Sequence, residues 1–233
     1  SIADKTVFPK DDIILYVPSG SSVKSNYSNR GWNFWRIYGG GRETQEKDGL
    51  IYAYGKDEDV AVLLKNNDLN NTSPTIEPKV PGTEKLVTVI AKSAFAGKNK
   101  FKSLTIPDAV EAIGKNAFLN CSGLEKVTWP SKLKYIGDYA FGSTSLTSVE
   151  FPSATETIGE NAFRYCTKIE DISFPESLKS IGNYAFYDSK NLSKINTACK
   201  AFTLKDQAFW PIINIKIYVP SKERDNYINM WGN

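Results

Sequence analysis

The stretch that decides the fold is IGKNAFLNCSGLEKVTWP, at residues 113–130. It returns with changes as IGDYAFGSTSLTSVEFP at 136–152, IGENAFRYCTKIEDISFP at 158–175 and IGNYAFYDSKNLSKINT at 181–197. Ala-Phe pairs mark the same phase at steps of 23, 23, 22, 23 and 23 residues, and their phenylalanines are Phe95, Phe118, Phe141, Phe163, Phe186 and Phe209. Several positions locked to one period indicate a repeat architecture, in which each unit buries its apolar face only against its neighbours.

Each unit combines a short strand with a tight turn. The segment L-x-x-V-x-F-P ends in alternating apolar and polar residues, which is typical of a strand with two outward side chains. Proline closes the strand because it cannot donate to a continuing ladder. The glycine of Ile-Gly permits a tight bend or a positive φ, and alanine beside phenylalanine indicates close backbone approach. We therefore predict a parallel sheet over one continuous core that contains all six phenylalanines.

The unit resembles the BspA-type leucine-rich repeats of bacterial surface proteins, and the resemblance extends over residues 75–220. It implies an α/β fold: a leucine-rich-repeat solenoid of about 23 residues per repeat, with a parallel sheet on one face and short helices and turns on the other. The alternative is a parallel β-helix, whose shorter repeat periods are absent from this sequence.

Five segments follow from these patterns. We predict a closing segment of a preceding array at residues 1–38, a linker at 39–47, a hairpin N-terminal cap with its loop at 48–74, the array at 75–220 and a C-terminal cap at 221–233. The hairpin prediction rests on two apolar runs, LIYAY and VAVLL, separated by GKDED. The resemblance supports it, because the family commonly opens with a D-G-x-x-Y segment.

The two ends of the chain resemble each other. LYVPS at residues 15–19 matches IYVPS at 217–221, and a tyrosine and a tryptophan follow each of them. We therefore expect both stretches to be extended and both to close an array. Bare aromatic side chains at the first end, Trp32, Phe34 and Trp35, would favour self-association unless they fold back on the hairpin.

The residue content argues against catalysis and against a metal site. The sequence contains no histidine, the commonest general base and a frequent metal ligand. Cys121, Cys166 and Cys199 are too few and too far apart for zinc, so no enzymatic activity, metal or cofactor is predicted. Cys121 and Cys166 share one repeat position two turns apart, beyond disulfide reach, and are predicted to be buried and reduced. Cys199 lies in a degenerate turn, and the sequence leaves open whether it is more exposed.

Charge and hydropathy limit the partners. The 29 basic and 26 acidic residues give a net charge of +3, which argues against a nucleic-acid binder. No apolar run is long enough for membrane insertion. No signal peptide begins at Ser1, but a processed chain would have lost it, and the resemblance implies a secreted or cell-surface location.

Charges of opposite sign alternate at one repeat position, and the residues are Glu111, Lys134, Glu156 and Lys179. We expect this column of charges to support the register of the turns.

The candidate ligand-binding surface is the outward face of the predicted strands. Its residues are polar and mixed in charge, and they are Lys126, Thr128, Ser148, Glu150, Asp171, Ser173, Lys194 and Asn196. The resemblance implies adhesion or recognition of a host or matrix protein; plain solvation of this face is the alternative. Terminal aromatic residues, among them Trp210, Tyr218, Tyr227 and Trp231, permit a carbohydrate-binding module instead, although covering the open ends also accounts for them. A structural spacer in a larger surface protein is the third alternative.

Overall fold

The computed structural model describes residues 42–55, 59–199, 203–204 and 207–225. Its strands are short, and most repeats contribute two of them. They are β1 (Arg42–Lys47), β2 (Leu50–Gly55), β3 (Val60–Asn66), β4 (Leu86–Ile90), β5 (Ser103–Thr105), β6 (Ala112–Ile113), β7 (Lys126–Thr128), β8 (Tyr135–Ile136), β9 (Ser148–Glu150), β10 (Thr157–Ile158), β11 (Asp171–Phe174), β12 (Ser180–Ile181), β13 (Lys194–Thr197), β14 (Thr203–Leu204) and β15 (Lys216–Tyr218). A 3₁₀ helix follows at Ser221–Glu223.

Two faces of the solenoid are sheets. Within the described residues the longer sheet has the order β1-β2-β3-β4-β6-β8-β10-β12-β14. It is antiparallel between β1, β2 and β3 and parallel from β3 onward. The second face carries β5 with β7, and separately β9, β11, β13 and β15, all in parallel pairs. The chain is therefore a parallel solenoid, as predicted.

The third face is built from turns around the Ala-Phe pairs. Its backbone also bonds from one turn to the next: Asn116 N–H donates to the carbonyl of Asp138 (2.9 Å) and Phe118 N–H to that of Ala140 (2.7 Å). Left-handed residues stand two positions before and two after the phenylalanine, as at Asn116 (φ 58°) and Asn120 (φ 60°). These conformations interrupt any helix, because they aim N–H groups at the neighbouring turn rather than back along the chain. The prediction of short helices is wrong across residues 86–199, where the structure has turns and strands.

The core is a column of stacked rings, which confirms the predicted burial of the six phenylalanines. Five are 0% exposed and Phe209, at the end of the column, is 8% exposed. Successive ring centroids lie 4.9–5.3 Å apart with interplanar angles of 15° or less. A second set, Trp129, Phe151 and Phe174, meets this column mostly edge to face. Both geometries are favourable for aromatic pairs.

The glycines of the Ile-Gly pairs are required for close approach, not for a positive φ. A Cβ on Gly137 would lie 2.7 Å from the backbone of the preceding turn, and one on Gly159 would lie 2.6 Å from it. The left-handed conformations fall instead on the non-glycine residues two places before each core phenylalanine. The tight step between turns therefore excludes any side chain at the Ile-Gly glycine.

On the N-terminal side the structure has a hairpin and places a strand within the predicted linker. β2 and β3 pair antiparallel, and Tyr52 and Leu63 are buried against the core. The predicted linker at 39–47 is wrong for residues 42–47, because they form β1 and pair with β2. The two-residue turn between these strands has positive φ at both Asp48 (51°) and Gly49 (76°), as Asp-Gly hairpins require. The Asp-Gly pair fixes this register although every described side chain of β1 is polar and exposed.

The one 22-residue step leaves a discontinuity in the second face. A residue is missing between Phe141 and Leu146 relative to the other repeats, and β7 and β9 on either side of it do not pair. Ser145 bonds instead to the preceding turn, its N–H to Leu124 and its hydroxyl to Ser122. The other two faces continue through this point. The predicted closing segment at 1–38 and the cap beyond residue 225 lie outside the described residues.

Candidate functional site

The predicted strip on the second face does point outward. In β7 and β9 the side chains of Lys126, Thr128, Ser148 and Glu150 are exposed, and in β11 and β13 those of Asp171, Ser173, Lys194 and Asn196 are half-buried. The residue between each pair is buried, as the strand alternation predicts. The parallel register sets Ser148, Asp171, Lys194 and Lys216 in one column and Glu150, Ser173, Asn196 and Tyr218 in the next. Lys126 and Thr128 belong to the separate sheet across the discontinuity.

Contacts along the strip are between neighbouring turns. Lys194 Nζ lies 3.7 Å from Asp171 Oδ1 and 5.8 Å from the ring centroid of Tyr218. Asn196 Nδ2 donates to Ser173 Oγ at 3.2 Å. Tyr218 is 53% exposed, so the strip ends in an aromatic side chain that a partner can reach.

Cys121 and Cys166 are buried and form no disulfide, as predicted, and Cys199 is buried as well, at 1% exposed. Burial raises the pKa of Cys121 to about 12 and that of Cys166 to about 11. Cys121 and Cys166 donate to the carbonyls of Phe95 and Phe141, each at 3.1 Å. A thiol held protonated in this way is a poor nucleophile.

The charge column pairs as expected. Lys134 Nζ lies 2.9 Å from Glu111 Oε2, and Lys179 Nζ lies 2.7 Å from Glu156 Oε2.

Among the described residues no cluster of three histidine, cysteine or carboxylate side chains could hold a metal ion. No helix in the described part of the chain has the length and apolar character needed to cross a bilayer.

A groove of about 370 Å³ opens on the turn face near the C-terminal end. Its lining comes from four successive turns, and three of them supply its aromatic residues, Tyr139, Tyr184, Tyr187 and Trp210. Trp210 is 52% exposed, and its ring lies 5.5 Å from that of Tyr187. The remaining lining is polar: Glu160, Asn161, Arg164 and Gln207.

Arg164 fixes the middle of this groove. Its guanidinium lies 4.6 Å from the ring centroid of Tyr165 and 4.7 Å from that of Tyr187. It donates to the hydroxyl of Tyr165 at 2.8 Å and to Oδ1 of the buried Asn161 at 3.3 Å. The hydrogen bond to Tyr165 raises the pKa of Arg164 above its ordinary value. The cation therefore holds the surrounding side chains in one arrangement.

Sequence reasoning missed most of this groove. It assigned Trp210 to the end of the array and did not consider Tyr139, Tyr184 or Tyr187. A signal was present: Tyr139 and Tyr184 stand two places before a core phenylalanine, where Asn116 and Asn161 stand in other repeats. The sequence does not show that these rings meet, because this depends on the face of the solenoid on which their positions lie.

Stacked parallel turns of 22–23 residues around a phenylalanine column define a leucine-rich-repeat solenoid. Residues 88–216 match the family described as BspA type leucine-rich repeat region, in six copies, and the chain belongs to this family.

Two solved structures support the same fold. A leucine-rich repeat protein of T. pallidum is 21% identical with a TM-score of 0.65; the match covers 81% of this chain and 96% of that one. The pneumococcal vaccine antigen PcpA is 21% identical with a TM-score of 0.64, over 80% of this chain. The matched part is 45% of the antigen chain. No curated protein matches the sequence significantly.

Proposed function

We propose that the chain is a non-catalytic recognition module of a bacterial cell-surface or secreted protein, and that it binds a host or matrix protein through the strip on β9, β11, β13 and β15. The observation that carries the proposal is the parallel register, which sets outward side chains of four strands in two straight columns. A sheet surface is already ordered before binding, so little conformational entropy is lost on association.

The chemistry of the strip fits a protein partner. It mixes both signs of charge and ends at exposed Tyr218 beside Lys194. Tyrosine is enriched among residues that dominate binding energy, and surrounding charges provide specificity and orientation. Surface display is supported by the family and by the name of one similar structure, a vaccine antigen.

The test is binding of the chain to a panel of immobilised, purified extracellular-matrix and plasma proteins. We expect at least one to bind, and Tyr218→Ala and Glu150→Lys each to weaken that binding about tenfold or more, since about 1.4 kcal/mol corresponds to tenfold in affinity. Lys115→Glu, on the turn face, is the matched charge control and should leave binding unchanged. Binding to no member of the panel, or binding indifferent to both strip variants, would contradict the proposal and favour a spacer.

A further inference from the structure

We propose a second binding site, the groove on the turn face, whose ligand is a neutral oligosaccharide. The proposal is independent of protein binding at the strip. It rests on the four aromatic rings, the polar groups between them and the backbone conformation of the residues that supply them.

The first observation that supports this site is the type of residue found at the positions with positive φ. A non-glycine residue with positive φ is strained, and glycine, asparagine and aspartate bear the strain best. The chain uses such residues at Gly97, Asn120 and Asp188. Around the groove it uses tyrosine, at Tyr139 (φ 56°), Tyr165 (φ 59°) and Tyr184 (φ 56°).

These tyrosines are not needed to fill the core. Tyr165 is 40% exposed, and Tyr139 and Tyr184 are half-buried at the surface. Residues held in an unfavourable conformation outside the core point to a functional role. The role available at this place is to present aromatic rings to a ligand.

The arrangement of the rings fits a chain of sugars. Three rings form a continuous series: Tyr184 and Tyr187, on one turn, have centroids 5.6 Å apart, and Tyr187 and Trp210, on neighbouring turns, have centroids 5.5 Å apart. Flat ring faces stack on the apolar C–H faces of pyranose sugars, while amide, carboxylate and phenol groups bond to the hydroxyls. Gln207 and Glu160 supply such groups between the rings.

The charges that line the groove favour a neutral ligand. One cation, Arg164, and one anion, Glu160, line the groove, so the lining has no net charge. Arg164 already donates to Tyr165 and Asn161. A nucleic-acid strand would require several cations along its phosphates, and an acidic sugar would approach Glu160 unfavourably. A neutral oligosaccharide meets neither difficulty.

The experiment uses the full chain on an array of neutral oligosaccharides, namely chito-, cello-, manno- and galacto-oligosaccharides, with acidic glycans as the charge comparison. Each candidate is then titrated in solution while tryptophan fluorescence is recorded, because Trp210 lies in the groove. We expect at least one neutral oligosaccharide to bind with a Kd below about 1 mM and to change the fluorescence of Trp210.

Two variants separate a ligand role from a structural one. Trp210→Ala should weaken sugar binding about tenfold or more through loss of a stacking face. Tyr184→Asn keeps a residue suited to positive φ, so the melting temperature should be retained or raised while sugar affinity falls at least fivefold.

Tyr218→Ala, which removes an exposed aromatic side chain from the strip, is the matched control and should leave sugar binding intact. Trp210→Ala should equally leave binding of any protein partner intact, so the two proposals can fail separately. The proposal is overturned if no neutral glycan binds, if acidic glycans bind better, or if Trp210→Ala and Tyr184→Asn bind as the parent chain does.

Discussion

Small side chains three places after the core phenylalanines satisfy backbone carbonyls that the stacked rings shut away from water. Cys121 and Cys166 do this with thiols, and Ser189 donates its hydroxyl to the carbonyl of Phe163 at 2.9 Å. The carbonyls of Phe95 and Phe163 also accept backbone N–H groups, from Lys98 at 3.0 Å and Cys166 at 3.3 Å, so the side chains supply a second hydrogen bond there. The cysteines are therefore structural hydrogen-bond donors, and they make the stability of the fold depend on pH only where their thiols lose protons.

The first prediction concerns pH. The folded pKa values of Cys121 and Cys166 are raised to about 12 and about 11, so the unfolded chain loses these protons first. Their contribution to stability is complete below the unfolded thiol pKa of about 8.5 and disappears as pH rises toward the folded values. We expect the free energy of unfolding to fall by roughly 2 kcal/mol for each thiol, or about 4 kcal/mol for the two, between pH 8 and pH 10, as measured by urea titration.

The matched comparison is the double variant Cys121→Ser, Cys166→Ser, which keeps the donors and removes the titrating groups. Its alkaline loss should be smaller, and what remains will include Tyr52, whose pKa burial also raises. Equal alkaline slopes for the parent and the double variant would show that the thiols are not responsible.

The second prediction concerns close approach between turns. Gly137→Ala would place a Cβ 2.7 Å from backbone atoms of the preceding turn, so we expect a loss of about 1–3 kcal/mol from forced backbone shifts. Gly142→Ala is the control, because its nearest obstacle is the end of the flexible Leu119 side chain at 3.0 Å. Thermal melting distinguishes them, and an equal effect at both glycines would contradict the explanation.

At the scale of elements, the phenylalanine column and the second face have different weaknesses. The column runs through six repeats with similar stacking at each step. The second face is divided at the shortened turn, where β7 and β9 do not pair. A defect in the column should therefore affect global stability, while the division should appear in local opening.

The third prediction tests the column. Phe163→Ala removes a fully buried ring stacked against Phe141 and Phe186, and we expect a loss of about 3–5 kcal/mol. Phe163→Leu, which keeps most of the apolar volume, should lose clearly less. Denaturant titration of both variants gives the comparison, and unchanged stability in Phe163→Ala would exclude a core role for the ring.

The fourth prediction tests the division. Lys194 N–H donates to Glu170 in the preceding turn at 3.2 Å, whereas Ser148 stands at the equivalent place in β9, which does not pair with β7. We expect the amide of Ser148 to exchange with deuterium about tenfold faster or more, since unpaired amides exchange without prior opening. Comparable protection at Ser148 and Lys194 would mean that the second face is continuous in solution.

At the scale of the whole molecule, the repeat explains how much the sequence could predict. The period predicts the phenylalanine core, the parallel strands and the outward strip, because each follows from alternation and stacking. The left-handed residues on both sides of Phe118, and with them the lack of helices across residues 86–199, could not be predicted from a pattern in which Asn, Ser and Tyr all occupy the same place. β1 was not predicted, because a strand that is polar on both faces has no hydrophobic period.

The groove was hidden for a related reason. Tyr139, Tyr184 and Trp210 are tens of residues apart and stand where other repeats carry different residue types. A repeat pattern shows what the turns share, while a binding site here depends on what distinguishes them. The rings come together because the fold places these positions on one face of the solenoid.

The direction of the hydrogen bonds between turns has a mechanical consequence. All three faces join successive turns along the axis of the solenoid, so tension applied along that axis loads the bonds of one junction at a time rather than shearing many at once. Each repeat of about 23 residues that peels away releases roughly 75 Å of extended chain. A solenoid pulled in this direction would lengthen stepwise and dissipate work, while the turns that remain stacked keep their sheets.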